Sequence, residues 1–167
     1  EAIKHCRIAL LGDPDNMNAY LNLAIAMFKK GQYDVGELVC QSALRIDGNN
    51  APVLNLLGLI HLKRDDIKAA ITMFQMAATA DPEYADARKN FASVSLNFKD
   101  FATAKREFEA VLKLEPENLE FQVSYAVALR GIEEFDEALK VLEGVLVKAP
   151  KNLDAHYNKC ILLHEYF

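Results

Sequence analysis

The chain has 167 residues, half of them apolar, with no Trp, seven Gly and five Pro. That is a helical composition, short of the turn chemistry that a strand-rich fold needs. A net charge of −5 argues against a nucleic-acid ligand, because phosphate binding needs a basic surface. No apolar run approaches the roughly 18 residues of a membrane span, so no membrane insertion is expected.

In chain order, residues 1–16 hold one apolar-periodic run and stop at Asp13-Pro14. Residues 17–50, 51–84, 85–118 and 119–152 each hold two runs, of about 13 residues apiece, separated by a polar break such as Lys63-Arg64-Asp65-Asp66. They close at Asp47-Gly48, Asp81-Pro82, Glu115-Pro116 and Ala149-Pro150. Leu153–Phe167 is one further run. A Pro just past a helix cannot continue it, and Asn16, Asn50, Asn118 and Asn152 suit a turn or a cap. Ten helices follow, with both ends of the chain cutting through a pair.

These segments are copies of one 34-residue plan without insertion or deletion. Tyr20, Leu54, Arg88, Gln122 and His156 share one position. Three residues on stand Leu23, Leu57, Phe91, Tyr125 and Lys159, and the next position is small: Ala24, Gly58, Ala92, Ala126 and Cys160. In the second run Gly36, Ala70, Ala104 and Ala138 are small, followed by Cys40, Phe74, Phe108 and Leu142. Spacings of three and four put these residues on one helix face. Small residues let two backbones approach, so Gly58 and Ala70 are expected to face each other. One pair cannot bury its apolar face alone, and neighbours must stack.

Candidate chemistry is sparse. No Gly-rich phosphate loop, His-Glu-x-x-His or nucleophile motif is present. Cys6, Cys40 and Cys160 form no Cys-x-x-Cys pair and read as buried small hydrophobes, in keeping with a reducing compartment. The cytoplasm is the default, with the bacterial periplasm or cell envelope as the alternative. His156, Cys160 and His164 share a face, but eight residues of helix span about 12 Å, too far for one ion. They read as packing and surface residues, so no metal and no cofactor is expected. Asp65-Asp66 and Glu133-Glu134 read as turn or cap residues. The last run is expected to expose an apolar stripe of Leu162, Leu163, Tyr166 and Phe167, covered by downstream helices or a second copy.

The pattern resembles the tetratricopeptide repeat, whose signature sets a large residue, Leu-Gly, Tyr, Ala, an aromatic, Ala and Pro at fixed offsets. The resemblance runs the length of the chain. It departs where Trp is absent from the first position, where Gly36 and Gly48 replace Ala and Pro, and at Lys159. It implies an all-α, right-handed superhelical solenoid of antiparallel helix pairs. It also implies a concave groove lined by first helices. Mapped onto this chain, the groove takes Asn18, Leu21, Asn22, Ile25, Phe28 and Lys29, then Asn55, Leu56, Leu59, Leu62 and Lys63. Further rows are Asp86, Lys89, Asn90, Ser93 and Asn97; Glu120, Val123, Ser124, Val127 and Arg130; and Asp154, Tyr157, Asn158, Ile161 and His164.

The expected peptide-binding residues are Asn22, Ile25, Asn55, Leu59, Lys89, Asn90, Val127 and Asn158. Aliphatic side chains would anchor a partner by burial, and amides would pair with its backbone. The family's carboxylate-clamping set is not restored, because Ser93 follows Lys89. Asn22, Asn90 and Asn158 share the position of an asparagine ladder, interrupted by Leu56 and Ser124; the plainer reading is solvent-facing helix residues. Lys105, on a second helix, serves as a neutral control position. The reading is a non-catalytic protein-interaction scaffold for a partner peptide or helix. The alternatives are a self-assembling structural scaffold, associating through its truncated ends, and a regulatory segment of a larger enzyme.

Overall fold

In the computed structural model, which describes residues 1–166, the helices are α1 (Ala2–Gly12), α2 (Met17–Lys29), α3 (Tyr33–Ile46), α4 (Ala51–Lys63), α5 (Ile67–Ala80), α6 (Ala85–Asn97), α7 (Phe101–Leu114), α8 (Leu119–Gly131), α9 (Phe135–Lys148) and α10 (Leu153–Tyr166). Among the described residues there are ten helices and no strand. Phe167, part of the expected apolar stripe, lies outside them.

Local chemistry sets where helices start and stop. The side chains of Asn16, Asn50, Asn118 and Asn152 accept from the backbone N–H groups of Ala19, Val53, Phe121 and Ala155. Each satisfies a donor that the first helical turn leaves open. Asp66 and Asp100 do the same for α5 and α7. The caps at Asp13, Asp47 and Asp81 leave the helix in extended backbone, and their carboxylates accept from the N–H two residues on. Within each helix pair the turn passes through one residue at positive φ: Gly31 (72°), Asp65 (61°), Lys99 (60°) and Glu133 (66°). These stand at one register of the 34-residue period, and only Gly31 avoids the Cβ penalty of the left-handed region.

Contacts divide the chain into a first unit, Glu1–Ala87, and a second beginning at Arg88. In the first unit, Ala24, Cys40, Ala43, Val53, Leu57 and Ile60 form one core, and Ala51, Leu54, Ala77, Ala78 and Ala87 another. Burying a side chain such as Leu54 or Ile60 contributes about 1.5–3 kcal/mol. In the second unit, Ala92, Ala104, Phe108 and Ala128 cluster, and Val123, Ala126, Leu129, Ala138, Leu142, Val145, Ala155 and Leu162 form the core of α8, α9 and α10.

Four expectations are corrected. The atoms nearest Gly58 belong to the ring of Phe74, one turn beyond Ala70, because the large side chain must lie where the small one leaves room. Of the three cysteines only Cys40 is buried; Cys6 is partly covered and Cys160 is exposed, since it lies on the side of α10 away from α9. Leu162 belongs to the core rather than to an exposed stripe, while Tyr166 stacks on Phe135 with ring centroids 3.8 Å apart. The exposed apolar residues of α10 are instead Leu153, Tyr157, Leu163 and part of Tyr166. Finally, Lys105 is no neutral control: its Nζ donates to both carboxylate oxygens of Glu134, at 2.7 and 2.8 Å.

Candidate peptide-binding surface

In the first unit, α2 and α4 lie side by side and enclose a concavity of about 270 Å³. Leu21, Ile25, Phe28 and Lys29 line it from α2, and Pro52, Asn55, Leu56 and Leu59 from α4. Tyr84 closes one side. The helical period makes this wall: residues three and four apart on α2 and α4 share one face, while the Leu23, Ala24 and Leu57 rows turn inward to the core. Of the expected site residues, Ile25, Asn55 and Leu59 meet here; Asn22 is exposed on α2 and does not line the concavity.

Asn55 is not a free amide waiting for a ligand. It is buried and its side chain hydrogen-bonds the phenol of Tyr84. Burial, then the charge of Asp86, push the Tyr84 phenol above its ordinary range, against the opposing effect of the Asn55 bond. The phenol therefore keeps its proton near neutral pH. The site offers an aliphatic and aromatic wall, a Tyr–Asn polar pair and the Lys29 cation at its rim.

Tyr84 and Pro52 were missing from the groove rows, which were drawn from family positions. The sequence carried a signal for Tyr84. It stands at the register that holds Asn16, Asn50, Asn118 and Asn152, and a Tyr there cannot cap as Asn does.

In the second unit, α8 and α10 with Leu96 of α6 frame an open concavity of about 440 Å³. Val127 and Asn158 line it with Val123, Ser124, Glu120, Asp154 and Asn152. The Asn158 amide donates to the Asp154 carbonyl at 2.9 Å. Lys89 and Asn90, on α6, do not line this concavity. Lys89 Nζ lies 2.6 Å from Glu115 Oε1 and 5.4 Å above the centroid of the Phe121 ring. The hydrogen bond from Lys89, then that from Asn118, holds the Glu115 carboxyl below its usual range. The Lys89 cation is thus already engaged.

His156, Cys160 and His164 share an open surface of α10 with Lys159 and Leu163. Among the described residues no group of three or more His, Cys, Asp or Glu is placed to hold a metal ion. Among them, too, no helix is long and apolar enough to cross a membrane. Burial pushes the Cys40 thiol up to about 12, with the charge of Glu37 as a lesser cause, which leaves it a poor nucleophile.

Comparison with known proteins places this architecture. A curated protein, cellulose synthase 1 operon protein C of Komagataeibacter xylinus, is 32% identical over 75 residues, a stretch that is 45% of this chain and only 6% of that protein. Among solved structures, YrrB, described as a TPR protein with an unusual peptide-binding site, matches at a TM-score of 0.87 and 20% identity, over 95% of this chain and 82% of its own. MamA from Desulfovibrio magneticus RS-1 matches at a TM-score of 0.76 and 18% identity, over 87% and 82%. At those identities the likeness is one of fold, an all-α solenoid of helix pairs. Models of the tetratricopeptide repeat match residues 1–51, 51–84 and 95–160, and the chain belongs to the tetratricopeptide repeat family.

Proposed function

We propose that this chain is a non-catalytic protein-interaction scaffold that holds a segment of a partner protein against the faces of its first helices. The observation that carries the reading is the first-unit concavity, where Leu21, Ile25, Phe28, Leu56 and Leu59 surround a space that fits one large apolar side chain. Burial of such an anchor supplies affinity, and the Tyr84–Asn55 pair and Lys29 supply orientation. The peptide-binding site named for YrrB supports a peptide as the class of ligand.

The experiment starts from a displayed library of random peptides selected on the wild-type chain, followed by titration of the selected peptides. Leu59→Asp puts a charge against the bound anchor and weakens binding at least tenfold, with helicity by circular dichroism unchanged. Lys68→Glu, on the exposed start of α5, leaves affinity unchanged. Equal affinity of wild type and Leu59→Asp would sink the proposal.

A second reading, self-association, is favoured by exposed apolar side chains on α1 and α10: Leu11 is 85% and Leu153 81% exposed. Light scattering across a concentration series tests it, since a self-assembling chain grows in mass and a scaffold monomer does not.

A further inference from the structure

Arg130 stands in the last turn of α8, half-buried, with its Nη1 fully buried and without a hydrogen-bond acceptor among the described residues. Other arginines of the chain behave differently: Arg64 meets Asp34 and Glu37, and Arg88 and Arg106 meet Glu107. Arg130 lies against a recess walled by Ala138, Leu142 and Leu162, too tight to admit a water molecule. A guanidinium is always charged, and a buried N–H without an acceptor is unfavourable. The arrangement is poor for stability and apt for a ligand.

The neighbouring surface says which ligand. Val127 and Asn158 line both the recess and the open concavity of the second unit. The concavity is polarised, with Glu120 and Asp154 in the first turns of α8 and α10 and Arg130 in the last turn of α8. An anion is repelled at the first end and attracted at the other. The exposed part of the side chain lets the guanidinium fork turn toward the concavity.

We propose that Arg130 anchors a carboxylate of the bound partner segment, seated over Val127 and Asn158 and held by paired N–H···O bonds from the fork. This rests on the groove reading above and adds the charge of the partner and the end at which it sits. The carboxylate comes from an Asp or Glu side chain or from a chain terminus.

The test selects two displayed libraries on the wild-type chain, random dodecapeptides held internally and the same with a free C-terminus. Selected peptides are then titrated against wild type, Arg130→Met and Val127→Asp. The expected result is an acidic residue at a fixed position, or a required free terminus, with affinity falling at least tenfold on Arg130→Met or on amidating that carboxylate. Internal Asp or Glu identifies the side-chain source; dependence on the free end identifies the terminus. Arg130→Met is also expected to keep or raise the melting temperature, which a structural arginine would not do. If peptides lose affinity on Val127→Asp yet bind Arg130→Met as tightly as wild type, the carboxylate anchor is wrong and the groove reading stands. If no selected peptide responds to Val127→Asp, both fail.

Discussion

Gly58 of α4 and Phe74 of α5 are fitted to each other: a Cβ at position 58 would stand 2.6 Å from Phe74 Cε1 and 2.7 Å from Cδ1, and Phe74 is fully buried. The ring has nowhere to move. Gly58→Ala is expected to destabilise the protein by about 1–3 kcal/mol in urea unfolding. Gly144→Ala, in α9 with nothing within 4 Å of the new Cβ, gains about 1 kcal/mol from helix propensity. A loss at both positions would contradict the packing described.

The positive-φ turn residues offer a second check. Lys99 bears a Cβ penalty at φ 60° that Gly31 avoids. Lys99→Gly is expected to raise stability by up to about 1 kcal/mol, and Gly31→Val to lower it by about 1–2 kcal/mol. Asp65→Gly gains less, because Asp tolerates this conformation better than Lys does. Chemical denaturation of the three variants ranks them.

Glu107 is 5% exposed and accepts from Arg88 Nη1 at 2.8 Å and from Arg106 Nε at 2.9 Å. Glu107→Ala leaves the Arg88 charge half-buried beside an emptied site, and about 3–5 kcal/mol of stability is expected to go with it. Arg88→Leu with Glu107→Leu removes both charges and restores most of the loss. A double-mutant cycle reads the difference.

The helix pairs and their ends were legible in the sequence because they rest on local rules. The 34-residue register, the capping Asn residues and the apolar spacing each act within a turn or two of their own position. What the sequence did not show depends on which large side chain reaches into which gap. Gly58 was visibly small, but its partner was one turn away from the one expected. Asn55 was read as a donor to ligand, yet it is spent on Tyr84, a residue outside the first helix. Cys160 occupied a packing register, but a register is buried only where another helix covers it. Arg130 appeared among groove residues without any sign that its fork lacks an acceptor.

The cysteines give a chemical readout of that difference. Cys160 is expected to react with iodoacetamide in the folded protein at pH 8, while Cys40 reacts only on unfolding. Burial holds the folded Cys40 proton from the ordinary value of 9.0 up to about 12. The sign follows: the unfolded thiol releases its proton first, so this contribution to stability is complete below pH 9.0 and is lost as pH rises toward 12. Mass spectrometry of the alkylated chain, folded and in urea, counts the modified thiols.

The central claim is that first helices, not second helices, meet the partner. Methyl-labelled protein titrated with a peptide selected on the wild-type chain tests it most directly by nuclear magnetic resonance. The expected result is that the methyl groups of Leu21, Ile25 and Leu59, which line the first-unit concavity, shift on binding. Val35 and Leu38, exposed on α3 at 43% and 61%, stay where they are. Shifts at Val35 and Leu38 with Ile25 and Leu59 unmoved would place the partner on the second helices and contradict the claim.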